Sequence, residues 1–305
     1  YAREPNHLVN NFDLGVPLMV EMFVGTGTAL PPTAFPERAK VGVIWAQIEE
    51  DLGNAFDLLK DNDSNNFPQR ANSYAAKSLL SRAYLYQEKW AEAATAASWV
   101  IGSGKIALHS GTYQEIYTKS AESIFELQYT SPEALGASSL HSIYGRMDDG
   151  SRDSDGDGND TGVGYGELIV GNAIRALFEA DDKRFTMMRR VKSGSTTVWW
   201  TTKFNSWLGA YGQDNVPIIR IAELYLIRAE ASLNLPTPDY TTARNDINEI
   251  RNTRGLGDAP ETNANLLNAL HKERRLELCF EGHRFFDLKR RGLDIPKEGG
   301  QPTIS

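Results

Sequence analysis

A chain of 305 residues with 41% hydrophobic content can bury a large core, in one domain or two. Its net charge of −8 and pI near 5.3, with no long run of Lys or Arg, argue against a nucleic-acid backbone as partner. No apolar run approaches the ~20 residues of a membrane helix, and the single Cys279 forms no intrachain disulfide and reads as a buried thiol.

Residues 1–36 are punctuated by Gly15, Pro17, Gly25, Gly27, Pro31, Pro32 and Pro36, which predicts irregular chain, with Met19 to Val24 extended. Gly25-Thr26-Gly27 lacks the third glycine, lysine and following helix of a phosphate-binding loop. From Pro36 the apolar spacing of Ile44, Ile48, Leu52, Ala55 and Leu59 predicts a helix. A second begins at the capping residue Asn72 or Ser73, and a third carries Ala93, Ala97, Val100 and Ile101 to Gly102. Residues 79–97 and 224–243 share one layout: a long Ala/Leu/Tyr helix, a short break, an aromatic (Trp90 or Tyr240), then an Ala-containing helix. That is a tetratricopeptide-like pair, whose apolar face must stack on a neighbour.

Between the copies lies a loop-rich insertion, residues 103–215, in which Ile124 to Tyr129 predicts a short strand. A long irregular insert in a compact helical domain is usually functional. Asp153, Asp155, Asp157 and Asn159, with Gly158 for the turn, match the first half of a calcium loop, alternate oxygens that suit a hard cation. Glu is absent from its last position, so a solvated acidic loop stays open beside the Ca2+ reading. The insert also gathers rings: Tyr144, Tyr165, Trp199, Trp200, Phe204, Trp207 and Tyr211. Flat rings offer apolar surface to the C–H faces of sugars, and Trp199, Trp200, Trp207, Tyr211, Tyr144 and Tyr165 are the candidate ligand contacts. Trp199 and Trp200 point to opposite sides of a strand, which predicts that one of them is exposed. Phe23, the one ring of Met22 to Thr28, is a further candidate.

The third passage, residues 216–291, holds two helices, Ile218 to Leu233 and Tyr240 to Arg254 with Gly255 as a left-handed cap, and then a charged helix. Glu273, Glu277 and Glu281 fall at i, i+4 and i+8 and must meet cations, for which Arg228, Arg251, Arg254 and Arg284 are candidates. The spacing predicts a semi-buried ion-pair network. A dinuclear metal site would need Glu-x-x-His pairs that are absent here.

Two passages carry a resemblance to a known family. Pro217, Arg220, Ala222, Glu223, Tyr225, Leu226, Ala229, Glu230 and Ala231 form the first, and Glu273, Arg274, Arg275, Glu277, Leu278, Phe280, Glu281, Gly282, Arg284, Asp287, Leu288 and Arg290 the second. Both resemble the SusD/RagB family of outer-membrane lipoproteins from Bacteroidetes. The likeness continues in Val16-Pro17-Leu18, Glu122 to Leu127, Gly164-Tyr165-Gly166 and Asp182-x-Arg184. It implies a mainly α, SusD-like single domain of tetratricopeptide-like repeats over residues 1–305, with repeat units at 36–102 and 216–291, lacking the family's N-terminal portion. It further implies a surface-exposed lipoprotein of the cell outer membrane, held by a lipid anchor not present in this chain. Such a protein binds an oligosaccharide without cleaving it and passes it to a TonB-dependent SusC-like transporter; RagB-like members take peptides. No cofactor is required on this reading, calcium being the one ion the acidic loop suits.

Other classes have less support. The sequence holds no Gly-x-Ser-x-Gly elbow, His-Glu-x-x-His pair or Walker loop, and its histidines, His7, His109, His141, His271 and His283, are scattered. A tetratricopeptide-type adaptor holding a partner peptide is the alternative among non-enzymes, and the aromatic-rich insert favours a glycan over it.

Overall fold

The structure, a computed structural model, describes residues 14–18, 37–61, 68–145, 165–193 and 196–296. Phe23 and the whole acidic loop with Asp153, Asp155, Asp157 and Asn159 lie outside them.

Strand β1 (Leu14–Pro17) pairs antiparallel with β2 (Arg38–Lys40), which leads into helix α1 (Val41–Leu59). The helix predicted from Pro36 therefore starts later, because Arg38 to Lys40 are drawn into extended pairing. Helices α2 (Ser73–Tyr86) and α3 (Trp90–Gly102) form an antiparallel pair. Asn72 caps α2 as the sequence suggests: Ala75 N donates to its Oδ1 at 2.8 Å. The Asn72 amide also donates to Ile124 O at 3.2 Å, tying the cap to β3 (Ser123–Leu127).

The second pair is α7 (Ile221–Asn234) and α8 (Tyr240–Thr253), and α7 packs along α3. Ala93, Ala97, Val100, Leu224, Ile227 and Ala231 are buried in that seam. Its small residues let the helices approach closely, and the opposite side of α7 (Leu226, Ala229) closes on Ala243, Ile247 and Ile250 of α8 and Leu266 and Leu270 of α9 (Leu266–Glu277). A helix clad on both sides reads as apolar around most of its circumference, which is what its sequence shows. The described residues are mainly helical, built on tetratricopeptide-like pairs.

The insertion supplies short elements: α4 (Glu115–Thr118), α5 (Leu140–Tyr144), α6 (Asn172–Arg175) and a hairpin of β4 (Met188–Ser193) with β5 (Thr196–Thr201). Strand β6 (Val216–Arg220) returns antiparallel to β3 and runs straight into α7.

The last helix differs from its sequence reading. The spacing of Glu273, Glu277 and Glu281 predicts one continuous helix, but α9 ends at Glu277 and α10 (His283–Arg290) starts after a reversal. Phe280 and Gly282 take left-handed backbone there, with φ of 64° and 82°. The break swings Glu281 away from the α9 face and onto Arg220 and Lys203. Burial pushes the Glu281 carboxyl up, and Arg220 and Lys203 overcome it, so the group sits at about 2.

The predicted ion-pair network exists with a partly different membership. Arg254 and Arg220 both reach Glu122 and Glu277, Arg251 joins Glu179 to Glu273, and Arg184 bridges Asp182 to Glu273. Arg228 instead pairs with Asp246, while Arg284 makes no ion pair with a described residue. The network joins β3, the insertion, β6, α8 and α9, so it clamps the loop-rich layer onto the helical scaffold.

Candidate ligand-binding site

Where β3 runs out of its pairing, residues 126–130 form one wall of an open cleft of about 890 Å3. Gln69 and Arg70, just before the α2 cap, line it too, together with Glu133 and Leu135. A second pocket of about 260 Å3 adjoins it through Leu127, Tyr129 and Leu135, and is walled by Phe204, Gly212 and Asp214.

Short hydrogen bonds hold these walls. Asn215 accepts from Tyr129 N at 3.1 Å and donates to Glu126 Oε1 at 2.9 Å, while Gln213 donates to Tyr129 O at 3.1 Å. Glu126 also accepts from Ser120 Oγ at 2.7 Å. Thr130 and Glu133 form a capping box, with Thr130 N and Oγ1 donating to Glu133 Oε2 at 2.9 and 2.7 Å. Those two donors lower the pKa of the exposed Glu133 carboxyl. Arg70 is exposed and makes no ion pair with a described residue, so its guanidinium is available to an incoming group.

The smaller pocket rests on a tight loop. Asp214 accepts backbone N–H bonds from Asn205, Ser206 and Trp207, and Ser206 Oγ accepts from Gly212 N at 2.8 Å. Gly212 has φ of +77°, and a Cβ there would lie 2.6 Å from Gly136 N, so only glycine fits. What the combined cleft presents is one tyrosine ring, exposed leucines, an available guanidinium and oriented carboxylates, a mixture that suits a hydroxyl-rich ligand with apolar faces.

Most of the rings singled out from the sequence are internal struts. Trp200 is 6% exposed and belongs to the core. Trp199 is half-buried, against Phe185 at 5.3 Å and under the Arg175 guanidinium at 5.1 Å. The expectation that one of this pair stands free is thus corrected, because 165–175 folds over the outer side of the strand: Val170 N donates to Trp199 O at 2.7 Å. Trp207 packs on Tyr113, Ile116, Tyr117 and Met187 and donates from Nε1 to Thr202 O at 3.1 Å. Tyr144 stacks on Phe204 at 6.1 Å and meets Phe280 edge-on, and Tyr211 meets His141 edge-on. Tyr165 is the open one, 63% exposed beside exposed Leu168 and Ile169.

Arg175, over the Trp199 ring, also lines a hollow of about 540 Å3 with Phe178, Asp181 and Phe185. Among the described residues no three His, Cys, Asp or Glu side chains gather to hold a metal ion. Cys279 is buried, its thiol donating to Leu276 O, and burial raises its pKa. Sequence reasoning missed Gln69, Arg70, Tyr129 and Glu133 as cleft residues. The signal for them was local: a strand followed at once by Thr130-Ser131-Pro132-Glu133, a capping box that turns the chain outward.

A scaffold of tetratricopeptide-like helix pairs, clamped by buried ion pairs to a loop-rich layer that carries an open cleft, defines the class of protein. Residues 182–297 match the SusD family. The fold is similar to that of a SusD superfamily protein from Bacteroides thetaiotaomicron, 27% identical with a TM-score of 0.77 over 97% of this chain and 65% of that one. It is also similar to a SusD superfamily protein from Bacteroides vulgatus, 28% identical with a TM-score of 0.75 over 94% of this chain and 62% of that one. A third is a laminarin binding SusD-like protein, 25% identical with a TM-score of 0.71 over 91% of this chain and 66% of that one. The match to the SusD family thus covers the C-terminal part of the chain, and the chain spans less than two thirds of the length of each of these structures. A comparison with the curated proteins found no match.

Proposed function

We propose that this chain is the glycan-binding part of a cell-surface uptake system and that it holds an oligosaccharide in the cleft between Arg70, Tyr129 and Leu135 without cleaving it. The observation that carries the reading is the cleft itself, whose aromatic and aliphatic wall faces oriented polar groups, on a fold shared with a laminarin binding SusD-like protein. A pyranose ring lies against Tyr129 while its hydroxyls meet Arg70, Gln69 and Glu133. Outer-membrane attachment through a lipid anchor and delivery to a TonB-dependent SusC-like transporter complete the proposal. We further propose that the acidic loop at Asp153, Asp155, Asp157 and Asn159 binds Ca2+.

The test is retention in native affinity gels cast with soluble polysaccharides, laminarin among them, with calcium and again with EDTA. Retention by one polysaccharide that is lost in Tyr129→Ala and Arg70→Ala supports the cleft. Retention unchanged in both variants moves the glycan elsewhere, to Tyr165 or the hollow beside Trp199. Absence of retention on every glycan, with the chain folded by circular dichroism, turns the reading towards a peptide ligand. Calcium dependence that vanishes in Asp155→Asn would assign the ion to the loop.

A further inference from the structure

The far side of the last helix holds a patch that the ligand reading leaves unused. Phe285 and Phe286 on α10 are each 53% exposed and meet edge-to-face, with centroids 5.4 Å apart. The Tyr86 ring at the end of α2 stacks on Phe286 at 6.5 Å, so three rings form a braced platform across two helices. Leu293, just past α10, is exposed as well.

Basic side chains flank the rings on α10, while the exposed acids Glu88 and Asp294 follow Tyr86 and Leu293 in the chain. Arg284 and Arg291 lie seven residues apart, two turns along one side of α10, and Arg275 lies on α9. None of the three makes an ion pair with a described residue. The single acid of α10, Asp287, is turned inward and is shared by Arg274 and Arg290. Arg274 is buried, with no hydrogen bond at Nη1 or Nη2 among the described residues and Nη2 lying 3.9 Å from Glu223 Oε1. Burial lowers the Arg284 pKa, and the neighbouring Arg275 and Arg291 lower it further. On a chain of net charge −8, Arg275, Arg284 and Arg291 thus form basic surface with no ion pair to a described residue.

We propose that the face formed by Tyr86, Phe285, Phe286, Arg284 and Arg291 docks a polypeptide that brings apolar side chains flanked by carboxylates. Rings and arginines together are the composition of a protein interface centre. The edge-to-face pair leaves a notch for one apolar side chain, and guanidinium forks take carboxylates two bonds at a time. A membrane surface fits less well, because half-buried rings braced between helices do not project the ~5–10 Å that interfacial anchoring uses. The proposal is independent of the glycan cleft.

A random-peptide display selection against the protein, followed by fluorescence anisotropy of the enriched peptides, tests it. Peptides should combine Asp or Glu with Leu or Phe, and affinity should fall about tenfold or more in Phe286→Ala and in Arg284→Ala/Arg291→Ala. All of these side chains are solvent-facing or half-buried, and circular dichroism checks that each variant folds. Replacing Glu by Lys in the selected peptide should abolish binding. Failure to enrich peptides, enriched peptides without acids, or equal affinity for wild type and both variants would each overturn the proposal. Loss of dextran sulfate or phosphatidylglycerol-vesicle binding in the same variants, with peptide binding unchanged, would assign the face to a polyanionic glycan or a membrane instead.

Discussion

Arg254 meets Glu277 through two parallel bonds, Nε to Oε2 at 3.0 Å and Nη2 to Oε1 at 2.9 Å, with both side chains at most 1% exposed. Glu277 is also the acceptor for Arg220, at 3.1 Å, and lies 3.6 Å from Arg184. Removing its charge leaves three buried cations short of a partner. Glu277→Gln should therefore destabilise the fold by about 3–5 kcal/mol, the usual cost of breaking a buried pair from one side. Urea denaturation reads the change; a loss below about 1 kcal/mol would mean the cations find substitutes.

Acid should unfold the protein through these carboxylates. Burial pushes Glu281, Glu223 and Asp287 up, yet their arginine and lysine partners overcome it and hold each at about 2. A depressed folded pKa means the unfolded chain binds more protons, so stability is complete above the unfolded value near 4.5 and drains away as pH falls towards 2. Denaturation midpoints measured from pH 6 to pH 2 should fall steeply below about pH 4.5. Glu281→Gln should lower stability at neutral pH and flatten that slope; an unchanged slope would contradict the assignment.

His271 should titrate low. Burial lowers its pKa to about 4 despite the nearby Glu230 carboxylate. Its neutral form is the folded one, so it contributes stability that is lost as pH falls from about 6.5 to 4. The imidazole Cε1–H resonance in NMR should show its midpoint near 4, and a midpoint at 6 or above would show the ring to be solvated.

Trp200 and Tyr129 should separate fold from ligand. Trp200→Ala removes a core ring and should cost about 3–5 kcal/mol, while Tyr129→Ala should leave the melting temperature nearly unchanged and abolish glycan retention. The reverse pattern would exchange their roles.

The α2 cap offers a local check. Asn72→Ala removes the bond to Ala75 N and the link to Ile124 O, and should cost about 1–2 kcal/mol by thermal denaturation, against a smaller loss for Asn72→Ser, which keeps the cap.

The helical scaffold was legible because its periodicity is local: Asn72 at the cap, Ala93 and Ala97 in the α3 seam, Gly255 at φ +83°. The existence of the ion network and two of its cations, Arg251 and Arg254, were legible from the sequence, but its other cations were not. Arg184, Arg220 and Lys203 stand far from α9 in sequence, and no periodicity marks them. The site was the least readable part. Aromatic residues look alike on paper whether they face sugar or the Tyr113–Tyr117–Phe204 interior, and only packing separates Tyr165 from Trp200.

The network spans great lengths of chain, with Glu122 and Arg254 132 residues apart and Tyr113 and Glu277 164 apart. During synthesis, Arg184, Lys203, Arg220 and Arg254 emerge before Glu273 and Glu277 of α9 and Glu281 of the break after it. Glu122 and Asp182 alone leave those cations short of carboxylates, and closing the loop-rich layer without Glu273, Glu277 and Glu281 is costly. The last two helices thus complete the clamp between the loop-rich layer and the scaffold.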